Sequence, residues 1–164
     1  MPKLRTEAVL PLPVDEVFPF FAKAENLERI TPGSLRFEIL TPLPIDMGEG
    51  ALIDYRLRIA GIPQRWRTRI SLWEPPYRFA DEQVKGPYRR WFHVHEFSEC
   101  PEGTRMTDEV DYELPFGVLG RLAHPLIRFQ LRRIFTYRNE SIGEHLALPT
   151  GTGVIRSPVV FEAG

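Results

Sequence analysis

The stretch from Asp54 to Leu114 constrains this chain more than any other, because its strand-like segments place polar side chains on the face that should be buried. Read with a period of two, Phe79, Asp81 and Gln83 share one face. Trp91, His93, His95 and Phe97 share a second, and Met106, Asp108, Val110, Tyr112 and Leu114 a third. A solid core needs apolar residues at nearly all such positions, since an unpaired buried polar group costs about 1–3 kcal/mol. Aromatic and polar residues interleaved on one inner face point instead to a lined cavity that orients something.

The remaining segments supply the frame. Leu4 to Leu12 reads as a first strand, and Pro13 opens a helix in which Val14, Val17, Phe18 and Phe21 fall at helical spacing. A short helix over Ala24 to Ile30 and a strand over Leu35 to Leu40 follow. The loop from Thr41 to Gly50 carries Pro42, Pro44, Gly48 and Gly50, which break regular structure, beside Leu43, Ile45 and Met47, which can cover apolar surface as a gate. Strands are then expected over Ala51 to Ile59, Ile62 to Trp73, Tyr77 to Val84, Tyr88 to Ser98 and Thr104 to Leu114. A helical piece over Phe116 to Ala123 precedes the main helix from Pro125 to Leu146, because an interior proline loses an amide donor. Leu122, Leu126, Ile127, Ile134, Phe135 and Ile142 are expected on its inner side, and Arg121, Arg128, Arg132, Arg133 and Arg138 on a solvated side. Residues 149–164, with Thr150-Gly151-Thr152-Gly153, read as a flexible tail.

Composition bounds the function. With 164 residues the chain fits one domain, here residues 1–148, and 43% hydrophobic with 26% charged residues suits a soluble globular protein. A net charge of −1 excludes a nucleic-acid binder driven by overall charge. Arg65, Arg67 and Arg69 alternate away from Trp66 and read as an outer stripe facing Glu82, not a stacking surface for bases. The single cysteine, Cys100, sits in a turn with Pro101, Glu102 and Gly103 and reads as a loop thiol. No apolar run reaches the roughly 18 residues of a membrane span, and no secretory h-region follows the N-terminus, so a cytoplasmic protein is expected.

Seven antiparallel strands with segregated helices make the chain α+β. At Gly50-Ala51-Leu52-Ile53-Asp54-Tyr55, Gly61-Ile62-Pro63-Gln64-Arg65-Trp66, Trp73-Glu74-Pro75-Pro76 and Phe79-Ala80-Asp81-Glu82-Gln83, the chain resembles the START-like, or SRPBCC, superfamily. The resemblance continues through Gly86 to Phe97, Asp108 to Tyr112 and Leu114-Pro115-Phe116-Gly117, and covers roughly residues 3 to 146. It is nearest to the ligand-binding branch related to polyketide cyclases and dehydrases. It implies a helix-grip (START/Bet v 1-like) fold, a seven-stranded sheet wrapped around a long C-terminal helix. It also implies a small-molecule ligand that is apolar or amphipathic, lipid-, polyketide- or aromatic-like. Family analogy adds a possible NAD-dependent epimerase-type partner, although no Gly-x-Gly-x-x-Gly fingerprint occurs here.

The ligand-binding candidates are therefore Tyr55, Trp66, Thr68, Phe79, Asp81, Gln83, Trp91, His93, His95, Asp108 and Tyr112. The expected register sets Asp81 across from His93 and His93 across from Asp108, with Thr68 and Gln83 extending the band. The band reads as a satisfied structural network, as a ligand-orienting patch, or as a catalytic acid/base pair of His93 and Asp108 in a cyclase or dehydratase. Metal ligation by His93, His95 and Asp81 is a further reading, but a third strong soft ligand is missing, so no metal or cofactor is expected.

Overall fold

The computed structural model describes residues 2–162. Strand β1 (Lys3–Leu10) buries Leu4, Thr6, Ala8 and Leu10 on alternate positions. Helix α1 (Val14–Phe21) carries Asp15 and Glu16 in its first turn, where acidic groups suit the helix dipole, and buries Val14, Val17, Phe18 and Phe20. Phe18 meets Trp73, Phe79 and Phe97 edge-on at centroid distances of 5.6, 5.9 and 5.5 Å. Helix α2 (Glu25–Arg29) is tied back through Asn26, whose amide donates to the Phe20 carbonyl at 2.8 Å.

The strand expected over Leu35 to Leu40 shrinks to β2 (Glu38–Ile39), preceded by a 3-10 turn over Gly33–Leu35. Arg36 is the reason: its φ of 46° is left-handed and cannot continue a strand. The remaining strands are β3 (Leu52–Ile59), β4 (Ile62–Glu74), β5 (Arg78–Lys85), β6 (Arg90–Cys100) and β7 (Gly103–Glu113). Ala60 and Gly61, at φ 49° and 79°, form the two-residue turn that matches the twist of β3 and β4. All neighbours are antiparallel, in the order β2-β3-β4-β5-β6-β7-β1. Two register shifts in the β4–β5 pair bend the sheet around its concave face.

Helix α3 (Gly117–His145) runs 29 residues, about 44 Å, without the break expected before Pro125. Pro125 lies on the exposed side of the helix, so the carbonyl it leaves without an amide partner is open to water. The inward stripe is Gly120, His124, Ile127, Leu131, Phe135, Arg138 and Ile142, at spacings of three and four. Leu122 and Leu126, expected inside, are 73% and 63% exposed, while Arg138, expected in solvent, is only 8% exposed. The error is one of phase: the first half of α3 is apolar on more than one side, so periodicity alone does not select the inner face.

The segment expected to be a flexible tail pairs with the sheet through β8 (Ile155–Arg156) and β9 (Val160–Glu162), both antiparallel to β1. Arg156 Nε donates to the Asn139 carbonyl at 2.8 Å, and Val159 and Phe161 pack beside Leu4, Leu131 and Phe135. Residues 163–164 of that expected tail lie outside the described residues. On the outer face the arginine stripe divides: Arg69 pairs with Glu82 as expected, and Arg67 makes a two-pronged pair with Asp54 at 2.7 and 2.8 Å. Cys100 closes β6 opposite Gly103, as a half-buried turn thiol.

Gly103 holds φ 131°, and a Cβ there would press on the Leu10 carbonyl and lie 2.8 Å from the Leu12 amide nitrogen. Gly103→Ala should cost about 1–3 kcal/mol from backbone strain alone, plus the cost of moving the β1–α1 corner. A urea denaturation curve with an unshifted midpoint would contradict this account.

Candidate functional site

Between the concave face of the sheet and α3 lies a cavity of about 160 Å³. Strand parity builds its walls: Ile53, Tyr55 and Leu57 from β3, Trp66, Thr68 and Ile70 from β4, Phe79 and Asp81 from β5, and Trp91, His93 and His95 from β6. Helix α3 closes it with Leu131, Ile134, Phe135 and Arg138. The aromatic groups brace one another. Tyr55 and Trp66 stack at 5.8 Å, Trp91 meets Trp66 edge-on at 5.3 Å, and Phe79 stacks on His95 at 4.1 Å. The Tyr55 hydroxyl lies 3.2 Å from Thr68 Oγ1.

One part of this wall is ionisable. His93 Nε2 lies 3.0 Å from Asp108 Oδ1, and His93 Nδ1 lies 3.5 Å from Asp81 Oδ2. His95 reaches the same two carboxylates, 3.2 Å from Asp81 Oδ2 through Nε2 and 2.8 Å from Asp108 Oδ1 through Nδ1. That last approach is close but poorly angled, and Nδ1 has no hydrogen-bond partner among the described residues. Two imidazoles thus lie between two carboxylates, with ring centroids 3.8 Å apart.

Burial and mutual charge set the protonation pattern. Burial pulls the His93 pKa below its ordinary value and the neighbouring charge of His95 adds to that, together outweighing the Asp108 hydrogen bond. Burial also works against charged His95, but the nearby Asp108 charge, with the Asp81 charge and hydrogen bond, raises its pKa above the usual histidine value. The carboxyls of Asp81 and Asp108 are penalised by burial, yet the two imidazoles hold both below the usual carboxylate range. Both carboxyls are thus biased toward the ionised form, and of the two imidazoles His95 holds a proton more readily than His93. Above the ring, Arg138 sits 4.9 Å over the Phe135 ring, and its Nε has no hydrogen-bond partner among the described residues.

The expected residues separate into those at the cavity and those behind it. Tyr55, Trp66, Thr68, Phe79, Asp81, Trp91, His93 and His95 line the cavity, whereas Gln83, Asp108 and Tyr112 do not. Gln83 is turned to the β5–β6 connection, where its amide donates to the Tyr88 carbonyl at 2.7 Å. Tyr112 is fully buried under Tyr88 and Trp91, and its hydroxyl lies 2.9 Å from His124 Nε2. Asp108 is 1% exposed and backs the two histidines. The register expectation is half right: Asp81 faces His93, but His93 faces Val110, and His95 faces Asp108. Asp108 still reaches His93 on the diagonal. Arg138, Tyr88, Leu131, Phe135 and Met47 line the cavity and were not among the candidates. The signal for Arg138 is its place three residues after Phe135 and four before Ile142, on the inward stripe.

The family model described as polyketide cyclase / dehydrase and lipid transport matches residues 10–137. That description lends no support to an epimerase-type partner. No curated protein sequence matches the chain. Among solved structures, the chain is similar to TTHA0849 of Thermus thermophilus, at 19% identity and TM-score 0.70, covering 87% of this chain and 94% of that one. It is similar to protein CV1439 of Chromobacterium violaceum, at 12% identity and TM-score 0.70, covering 91% and 100%. It is also similar to ginseng major latex-like protein 151 of Panax ginseng, at 15% identity and TM-score 0.63, covering 90% and 97%. These likenesses establish the helix-grip fold. Among the described residues no helix is long and apolar enough to cross a membrane.

Asp108→Ala should destabilise the protein by about 3–5 kcal/mol, because it removes the carboxylate that both buried imidazoles share and leaves Asp81 alone to satisfy them. Asp54→Ala, on the outer face, should leave stability near that of the parent. Equal denaturation midpoints for the two variants would contradict the buried ring.

Proposed function

The chain belongs to the polyketide cyclase / dehydrase and lipid transport family, and from that membership and its cavity we propose that it is a cytoplasmic ligand-binding domain. Its ligand is a small amphipathic molecule with an apolar body and an acidic or strongly accepting head. The observation that carries the reading is Arg138: a guanidinium nine-tenths buried on the wall of an apolar cavity, with its Nε unpartnered. A buried donor left without an acceptor is costly, and a carboxylate or phenolate supplied by a ligand would pair it. The apolar body would lie along Ile53, Leu57, Trp66 and Ile70, and Tyr55 and Thr68 offer hydroxyls midway along the wall. Burial drives the Tyr55 pKa well up, so its hydroxyl stays protonated and able to donate.

Calorimetry with a carboxylate and an alcohol of the same chain length tests the head-group preference. The carboxylate should bind more tightly, and Arg138→Met should reduce that preference about 10–100-fold, the worth of one charged hydrogen bond. If neither compound binds, or the preference survives the substitution, the reading fails.

The loop Thr41 to Gly50 is proposed as the gate. Met47 lines the cavity, Ile45 and Met47 pack near Ile53 and Ile70, and Leu43 stays exposed. Amide exchange in this segment should slow when ligand is bound, and identical protection in both states would count against a gate.

A second reading, a cyclase or dehydratase, is favoured by one feature. Burial favours the neutral form of His93, which faces the cavity and is held by Asp108 at 3.0 Å, as a general base should be. On that reading His93→Gln would lower turnover about 10²–10⁴-fold with little loss of affinity. Binding of polyketide-like ketones without product would sink it.

A further inference from the structure

We propose that Asp81, His93 and His95 hold a divalent first-row transition-metal ion in the cavity wall, with Asp108 behind them orienting both imidazoles. The site goes beyond the ligand-binding reading and does not rest on it, since protein side chains alone supply its donors. One donor atom from each of the three residues lies within 4.8 Å of the other two. Asp81 Oδ2 is the common point, 3.5 Å from His93 Nδ1 and 3.2 Å from His95 Nε2. Ligands held at about 2.0–2.2 Å by one ion at tetrahedral or octahedral angles stand about 3.0–3.4 Å apart, close to these separations.

The second argument is the direction of each imidazole. Both present one nitrogen to Asp81 on the cavity side and the other to Asp108 on the protein side. A metal-binding histidine needs that division, in which the far N–H donates to a carboxylate and the near nitrogen keeps its lone pair. Asp81, His93 and His95 line the cavity and Asp108 does not, so ligands and backing carboxylate lie on the sides the chemistry requires.

The third argument is a buried gap. His93 Nδ1 stands 3.5 Å from Asp81 Oδ2, too long for a good hydrogen bond, while its Nε2 is engaged by Asp108 at 3.0 Å. A cation seated in that gap would be ligated from both sides. Two histidines and one carboxylate on one side of an ion leave positions open toward the cavity, the donor set of mononuclear centres with exchangeable ligands. Arg138 opposes a cation here, but with both ligating imidazoles neutral, any proton on them being released to solvent as the ion binds, two carboxylates against the ion and the guanidinium leave one net positive charge. That balance suits an anionic oxygen donor, such as a carboxylate, enolate or phenolate, in an open position.

The test uses chelator-stripped full-length protein titrated with Zn²⁺ by calorimetry and with Co²⁺ by visible absorption. One equivalent of each should bind, and the cobalt protein should show paramagnetically shifted imidazole resonances from both ligating histidines, including the exchangeable N–H of His93 that is bonded to Asp108. His93→Ala and Asp81→Ala should abolish stoichiometric binding, while Asp108→Asn should keep it but weaken it about 10–100-fold. The proposal is overturned if the parent protein binds neither ion at one equivalent or if the cobalt protein lacks the shifted resonances. Full affinity in folded His93→Ala and Asp81→Ala would overturn it equally. The resonances are read in the parent protein, so a variant that fails to fold leaves the question decided.

Discussion

Two carboxylates and two imidazoles buried in the middle of a sheet must satisfy one another, because water does not do it for them. Each charge taken out of water costs several kcal/mol unless its partners are in place. Antiparallel pairing is what supplies those partners. Asp81 lies opposite His93, and Asp108 lies opposite His95, so three adjacent strands bring the four groups into one ring. A slip of one residue between β6 and β7 would turn the histidines outward and leave Asp108 alone inside. The ring and the register therefore hold each other, and the position of every other inner residue on β5, β6 and β7 follows.

The cavity exists because the sheet and α3 part company around that ring. At one end Phe18, Phe20, Phe79, Phe97 and Met106 fill the interior with α1, and at the other Leu4, Val110, Tyr112, Leu131 and Phe135 fill it with α3. Between these two cores the walls are polar groups, planar rings braced by one another, and the aliphatic side chains of Ile53, Leu57 and Ile70, and they leave space across the gap. Helix α3 is pinned on either side of the gap. The Asn139 amide donates to Thr6 Oγ1 at 2.7 Å, and the Tyr112 hydroxyl engages His124 at 2.9 Å. With both ends fixed, the helix cannot settle onto the sheet and close the space.

Much of this was legible because a period of two survives errors in register. The turn through Pro101 and Glu102 sets Cys100 opposite Gly103, which moves each β6–β7 pair by two residues from the expected alignment. An even slip keeps every side chain on its face, so the list of inner residues stood while the partners changed. A 3.6-residue period gives no such protection. In α3 the apolar positions Leu122, Leu126 and Phe129 compete with Ile127, Leu131 and Phe135 for the inner side, and only packing decides between them. Arg138 was misplaced for the same reason, its charge outweighing its position. The strands after residue 149 were hidden because a two- or three-residue strand carries too little alternation to be seen. What makes them strands is the open edge of β1, a feature of the sheet and not of their own sequence.

The ring gives the structural, metal and acid–base readings a common physical question: what lies between Asp81 Oδ2 and His93 Nδ1. If His93 carries a proton on Nδ1, the gap is an ordinary hydrogen bond, and Asp108 must then receive its Nε2 proton from a charged imidazole in an apolar wall. The charge on His95, 3.8 Å away, disfavours that second cation. If His93 is neutral, the bond to Asp108 takes its one proton and the gap holds two acceptors. An acceptor pair buried beside a cavity is stable only when something positive or proton-bearing enters from the cavity side. A ligand hydroxyl would do so by donating, and a metal ion by coordinating. A purely structural network would close the same gap with the protein's own proton on His93 Nδ1 and would need no partner from the cavity side.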